Sequence, residues 1–129
     1  MSNFQQVTPF LHVRDLGKAL DFFTGILGFS VPFRSPGYAY VHRETVGFRL
    51  LEVDEAEATR GDRRYACYID VLDVDALYEE LKPRLATLPP ADVHGPADKP
   101  YGQRELLVLA PDGNLIAFGM AIPDEVAKA

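Results

Sequence analysis

Phe10-Leu-His-Val-Arg-Asp15 and Tyr68-Ile-Asp-Val-Leu-Asp73 are two versions of one phrase, with Asp73 following Asp15 by 58 residues. Each is an alternating apolar stretch ending in aspartate, and each leads into apolar residues at helical spacing. At the same offset Leu16, Leu20, Phe23 and Leu27 fall on Val74, Tyr78, Leu81 and Leu85. A unit that recurs within 129 residues is the mark of a duplicated supersecondary module. Each half reads as a strand, a helix and further short strands, with Asp15 or Asp73 accepting from the exposed amides at the helix start.

Working outward, the first strand is expected over Val7 to Val13. Gly28 stops the first helix, and Ser30 to Phe33, Tyr38 to Arg43 and Val46 to Val53 follow as strands. Pro36-Gly37 and Glu44-Thr45 are the turns between them. Asp54 to Asp62 is polar and reads as the connection. The second module opens with a strand over Tyr65 to Val71. Its helix runs from Val74 to about Lys82, where Pro83 is expected to end or kink it. Leu88 to Pro100 is rich in proline and reads as an irregular edge or loop. Glu105 to Leu109 and Leu115 to Met120 are the last strands, joined by the turn Pro111-Asp-Gly-Asn114, and the tail from Pro123 is expected to be loose.

Composition narrows the function classes. Hydrophobic residues make up 47% and charged residues 25%, as in an ordinary globular protein. A net charge of −6 opposes nucleic-acid binding, which needs Lys and Arg against phosphates. No run approaches the roughly 18 apolar residues of a membrane span, and the start lacks a basic, apolar leader, so a cytoplasmic location is expected. Cys67 is the only cysteine and reads as a buried small hydrophobe.

Strand alternation sorts the remaining residues. Val7, Leu11 and Val13, and in the echo Cys67, Ile69 and Val71, suit the face under a helix. That leaves Thr8, Phe10 and His12 opposite, and Ala66, Tyr68 and Asp70 in the second module. Tyr38 and Tyr40 share a face. Tyr101 and Gly102 sit in a loop expected to close over one end of a pocket. Arg104 and Glu105 are neighbours and face opposite ways, with the choice between them open, and Arg49 and Glu52 leave the same question of phase. Phe10, His12, Tyr38, Tyr40, Tyr68, Asp70, Tyr101, Gly102 and Glu105 are therefore the candidate ligand-binding set: aromatic, with a few orienting polar groups. No Ser-His-Asp or Cys-His set and no phosphate loop is readable, so no catalytic residue is assigned. Asp70 beside Tyr68 is the best charge partner for a cationic ligand.

Val13-Arg-Asp15-Leu16, Phe22-Phe23, Leu27-Gly28-Phe29, Val71-Leu-Asp73-Val74 and Pro111-Asp-Gly-Asn114 form an ordered set over nearly the whole chain. The set resembles the vicinal oxygen chelate superfamily of glyoxalases, dioxygenases and bleomycin resistance proteins. The resemblance implies an α+β fold of two βαβββ modules, about 5–54 and about 63–122, whose curled mixed sheets surround a cleft and pair in a homodimer. Enzymes of the superfamily chelate a divalent metal from positions that correspond to Thr8, Ala66 and Ala117. These side chains offer no imidazole or carboxylate, so neither a metal nor another cofactor is expected.

Among its members the chain is most similar to bleomycin resistance proteins, through Thr8-Pro9, Arg14-Asp15, Tyr101-Gly-Gln-Arg-Glu105 and Ala110-Pro-Asp-Gly-Asn114. That likeness implies sequestration of a small, cationic or planar molecule without chemistry. The chain lacks the tryptophan such binders commonly stack on the drug, and Tyr38, Tyr40, Tyr68 and Tyr101 are the substitutes on offer. The alternative is a glyoxalase- or dioxygenase-like metalloenzyme with relocated ligands, for which His12 and Glu52 are the available donors.

Overall fold

The structure is a computed structural model in which residues 3–54 and 65–122 are described. The chain divides into two compact units, Met1–Arg63 and Arg64–Ala129. The expected connection beyond Asp54 and the tail from Pro123 lie outside the described residues.

The first unit holds β1 (Phe10–Val13), α1 (Leu16–Asp21, continuing as a π-helical turn over Phe22–Ile26), β2 (Ser30–Ser35), β3 (Tyr38–Arg43) and β4 (Val46–Glu52). The second holds β5 (Ala66–Asp70), α2 (Val74–Leu85), β6 (Val93–Asp98), β7 (Gln103–Leu109) and β8 (Leu115–Ala121). Each unit is thus a βαβββ module with a four-stranded mixed sheet, in the orders β1-β4-β3-β2 and β5-β8-β7-β6. The first strand of each runs parallel to the last, and the other pairs are antiparallel.

The core of each unit lies between its helix and one face of its sheet. Leu11, Val13, Ala39, Val41, Phe48 and Leu50 are buried in the first. Phe23 meets Phe22 and Phe29 edge to face there, at 5.5 and 5.4 Å between ring centres. Ile69, Leu106, Val108, Ile116 and Phe118 do the same work in the second, beneath Val74, Leu81 and Leu85 of α2. Burying each such side chain contributes roughly 1.5–3 kcal/mol.

The helix starts follow from sequence. Asp15 Oδ1 accepts from Lys18 N, and Asp73 Oδ1 accepts from Ala76 N, both at 3.0 Å. Gly28 has φ 77°, and the Phe29 amide returns to the Phe23 carbonyl at 2.8 Å, closing the first helix.

Two expectations are corrected and one is resolved. β1 begins at Phe10 rather than Val7, because Pro9 has no N–H to continue the ladder, and Val7 is 87% exposed. α2 passes through Pro83 to Leu85: so near the C-terminus only one backbone bond is forfeited, and Leu81 and Leu85 are both buried. The proline-rich stretch does form an edge strand, β6, whose pairing with β7 shifts register between His94 and Ala97, around Gly95-Pro96.

Candidate functional site

Two surfaces carry the candidate residues: the faces of the two sheets turned away from their helices. On the first sheet, register aligns Phe33, Tyr40, Arg49 and Phe10 as one row across β2, β3, β4 and β1. Ser35, Tyr38, Leu51 and His12 form the next. Directly opposed residues share a face, so Phe10, His12, Tyr38 and Tyr40 are brought together. The row adds Arg49 and Phe33 to the candidates.

Arg49 organises this surface. Its Nη1 donates to the Tyr38 hydroxyl at 2.6 Å. Its guanidinium carbon lies 5.8 Å from the centre of the Tyr40 ring. Tyr40 stacks in turn with His42, at 6.0 Å and 12° between planes, and Phe33 tilts against Tyr38 at 5.9 Å. Tyr40 can lie down because Gly47 is beneath it; a Cβ there would come within 2.5 Å of the Tyr40 hydroxyl. Between Gln6, Thr8, Phe33, Tyr38, Tyr40 and Arg49 is a hollow of about 360 Å³.

On the second sheet, Tyr68, Ala117 and Leu107 form one row and Asp70, Gly119, Glu105 and Ala97 the next. Arg104 belongs to the helix side, where its Nε donates to Asp98 at 2.7 Å and its Nη1 to Asp75 of α2 at 2.9 Å. Those carboxylates hold its guanidinium proton even more firmly than usual. Glu105 therefore takes the open face.

Glu105 is only 5% exposed, yet it carries a carboxylate, and tyrosines gather on it. The Tyr101 hydroxyl donates to Oε1 at 2.7 Å. The Tyr68 hydroxyl donates to Gln103 Oε1 at 3.1 Å and is also within reach of Glu105. Tyr68 as a residue is 44% exposed, but the edge bearing its hydroxyl rests on buried Gly119, where a Cβ would collide with it. Burial, the hydrogen bond to Glu105 and the charges of Glu105 and Asp70 push the Tyr68 hydroxyl up to about 12. The Tyr101 hydroxyl is raised as well, chiefly by its hydrogen bond to Glu105. Gly102, at φ 88°, makes the turn that brings Tyr101 back over its own strand. Among the described residues no Lys or Arg occupies a strand position on this face.

The positions at which metalloenzymes of this shape chelate do not suit a cation. Thr8 accepts a hydrogen bond from Gln6 at 3.3 Å, Ala66 carries a methyl group, and Ala117 is buried within the Tyr68 row. Glu52 is on the helix side and its Oε2 accepts from the Leu16 amide at 2.8 Å, so it caps a helix. Among the described residues no three His, Cys, Asp or Glu side chains are grouped to hold a metal. Cys67 is half-buried rather than fully buried, and burial raises its thiol.

Comparison with known proteins agrees with this architecture. The bleomycin resistance protein of Geobacillus stearothermophilus is 28% identical over 127 residues, covering 88% of this chain and 94% of that protein. The bleomycin-binding protein of bleomycin-producing Streptomyces verticillus, solved with copper(II)-bleomycin, superposes with a TM-score of 0.76. It is 24% identical, covering 95% of this chain and 100% of that one. TnmS3, an antibiotic binding protein from Streptomyces sp. CB03234, superposes at 0.67 with 25% identity, covering 95% and 100%. The family model of the Glyoxalase/Bleomycin resistance protein/Dioxygenase superfamily matches residues 4–118. With its duplicated βαβββ module and that match over nearly its whole length, the chain belongs to this superfamily.

Proposed function

We propose that the protein sequesters a small organic molecule, an antibiotic of the bleomycin type or a molecule of similar character, without making or breaking a bond. The observation that carries this reading is the open face of the second sheet. A buried carboxylate, Glu105, is bracketed by the hydroxyls of Tyr68 and Tyr101, with Asp70 across Gly119 and no Lys or Arg at a strand position among the described residues. Such a face favours a cation on the carboxylates and a flat ring on the tyrosines. The bleomycin resistance, bleomycin-binding and antibiotic binding proteins to which the chain is similar support a small-molecule antibiotic as the ligand.

Tyr68, Asp70, Tyr101, Gly102 and Glu105 are the residues assigned to the ligand on this face; Phe10, His12, Tyr38 and Tyr40 are the candidates on the open face of the first unit's own sheet. The side chains at Thr8, Ala66 and Ala117 give a metal nothing to bind, which favours sequestration over the glyoxalase- or dioxygenase-like alternative. The protein is further taken to be a cytoplasmic homodimer whose modules, about 5–54 and about 63–122, act as one domain. Half-exposed Phe10 and Phe33 on one sheet face support pairing. No helix among the described residues is long and apolar enough to cross a membrane.

Thermal-shift and calorimetric titration against bleomycin and a panel of planar cationic drugs tests the function. A ligand that binds only the folded form raises the melting temperature, and does so further as its concentration climbs above Kd. Glu105→Gln should weaken binding of any cationic hit roughly tenfold, the scale of a lost charge-assisted hydrogen bond. A panel without a hit, or hits indifferent to Glu105→Gln, would overturn the reading.

A further inference from the structure

The Arg49 hollow differs in kind from the carboxylate face, and its chemistry selects a different ligand. Arg49 has a hydroxyl and an aromatic ring for partners and no carboxylate among the described residues. Nη1 is committed to Tyr38; the rest of its fork of donors is not. The Tyr38 oxygen accepts that bond at 2.6 Å, which leaves its own proton for an outside acceptor. Thr8 Oγ1, on the same wall, likewise accepts from Gln6 and retains a hydroxyl proton to give.

Three donors and the Gln6 side chain therefore border one hollow whose remaining walls are the rings of Tyr40 and Phe33. Its volume of about 360 Å³ falls at the low end of small-molecule pockets, which begin near roughly 300 Å³. The shape is built in advance: Gly47 lets Tyr40 lie over the sheet, and Tyr40 supports the guanidinium. Guanidinium forks match planar carboxylates bidentately, and aromatic walls add ring contact.

We propose that the hollow between Arg49, Tyr38, Tyr40, Phe33 and Thr8 is a binding site for a small aromatic carboxylate. The acid group pairs with the Arg49 fork and accepts from the Tyr38 hydroxyl, while its ring lies along Tyr40 and Phe33. The site stands on first-unit residues alone, and neither needs nor excludes a cation on Glu105.

Calorimetric titration of the intact protein with naphthoate, neutral naphthamide and cationic naphthylmethylamine tests it. Naphthoate should bind at one site per chain, with naphthamide weaker by roughly tenfold or more, the scale of a charge-assisted bidentate pair. Arg49→Gln should abolish that preference while leaving naphthamide affinity unchanged, and Arg49→Lys should restore part of it. Lys82→Gln removes the same charge from the exposed side of α2 and should change nothing. Tyr38→Phe, which keeps the ring, serves if Arg49 variants fold poorly, and should weaken naphthoate several-fold. The proposal is overturned if naphthoate does not bind, if the amide binds as well as the acid, or if the preference survives both Arg49→Gln and Tyr38→Phe. Success here with no cationic hit on the second unit would sink the sequestration of cations and leave this site standing.

Discussion

The two units share one plan on the helix side of their sheets and diverge on the other. At the 58-residue offset Phe23 corresponds to Leu81 and Asp15 to Asp73, and each pair does the same job. The likeness extends to a detail at the helix start. The first helical amide of α1, Leu16 N, donates to Glu52; that of α2, Val74 N, donates to Met120 Sδ at 3.3 Å, and Glu52 and Met120 hold equivalent places on β4 and β8. On the open faces the equivalents part company. The row Phe10, Arg49, Tyr40 answers to Tyr68, Ala117, Leu107, and the row His12, Leu51, Tyr38 to Asp70, Gly119, Glu105. Packing constrains a duplicated core because a methylene gained or lost is felt; an open face is bound by no such rule and can take either sign of charge.

The most severe way to break the comparison is at Phe23 and Leu81. Both are buried to 2% or less exposure. Phe23→Ala should cost about 3–5 kcal/mol and Leu81→Ala about 2–5 kcal/mol, read by urea denaturation. A loss under about 1 kcal/mol at either position would mean that the two cores are not equivalent.

How much of this was legible in the sequence depends on the range over which each feature is decided. The repeat, the caps and the phase of β1 and β5 follow from local pattern, because alternation and a capping aspartate need only neighbours. Arg104 and Glu105 did not yield to that reasoning. Their phase is settled largely by Asp75 on α2, 29 residues before Arg104, joined by Asp98 on the neighbouring strand β6. The phase of Arg49, open on strand alternation alone, is legible from the turns. Two-residue turns at Pro36-Gly37 and Glu44-Thr45 set Ser35 opposite Tyr38 and Arg43 opposite Val46. Counting back from them places Phe33 against Tyr40 and Tyr40 against Arg49. The π-helical turn at Phe22–Ile26 left no signal, since its apolar spacing resembles that of an α-helix.

The helix starts sharpen the comparison at a smaller scale. Asp15→Ala and Asp73→Ala should each cost about 1 kcal/mol in chemical denaturation. Glu52→Met, which gives the first unit the second unit's acceptor, should lose about 0.5–1 kcal/mol, because a thioether is a weak acceptor beside a carboxylate. Equal stability of the Glu52→Met variant and the parent would show that the carboxylate adds nothing a sulfur cannot.

Least costly at neutral pH, and most diagnostic of the open faces, is the alkaline titration of the second unit's tyrosines. Tyr68 titrates near 12 in the folded protein against about 10 for an ordinary phenol. Below about pH 10 both folded and unfolded chains keep the proton, so the shift leaves stability intact there. As pH rises from about 10 towards 12 the unfolded chain releases the proton while the folded one retains it, and stability falls across that window. Glu105→Gln removes the hydrogen bond and the charge that oppose phenolate formation. Tyr68 and Tyr101 should then ionise at lower pH, seen by NMR of ring-labelled tyrosine, and the alkaline loss of stability should be smaller than in the parent. Burial of the Tyr68 hydroxyl against Gly119 persists in the variant, so its titration should stay above the ordinary phenol value. Unchanged titration of both tyrosines would mean that Glu105 is not the group around which this face is built.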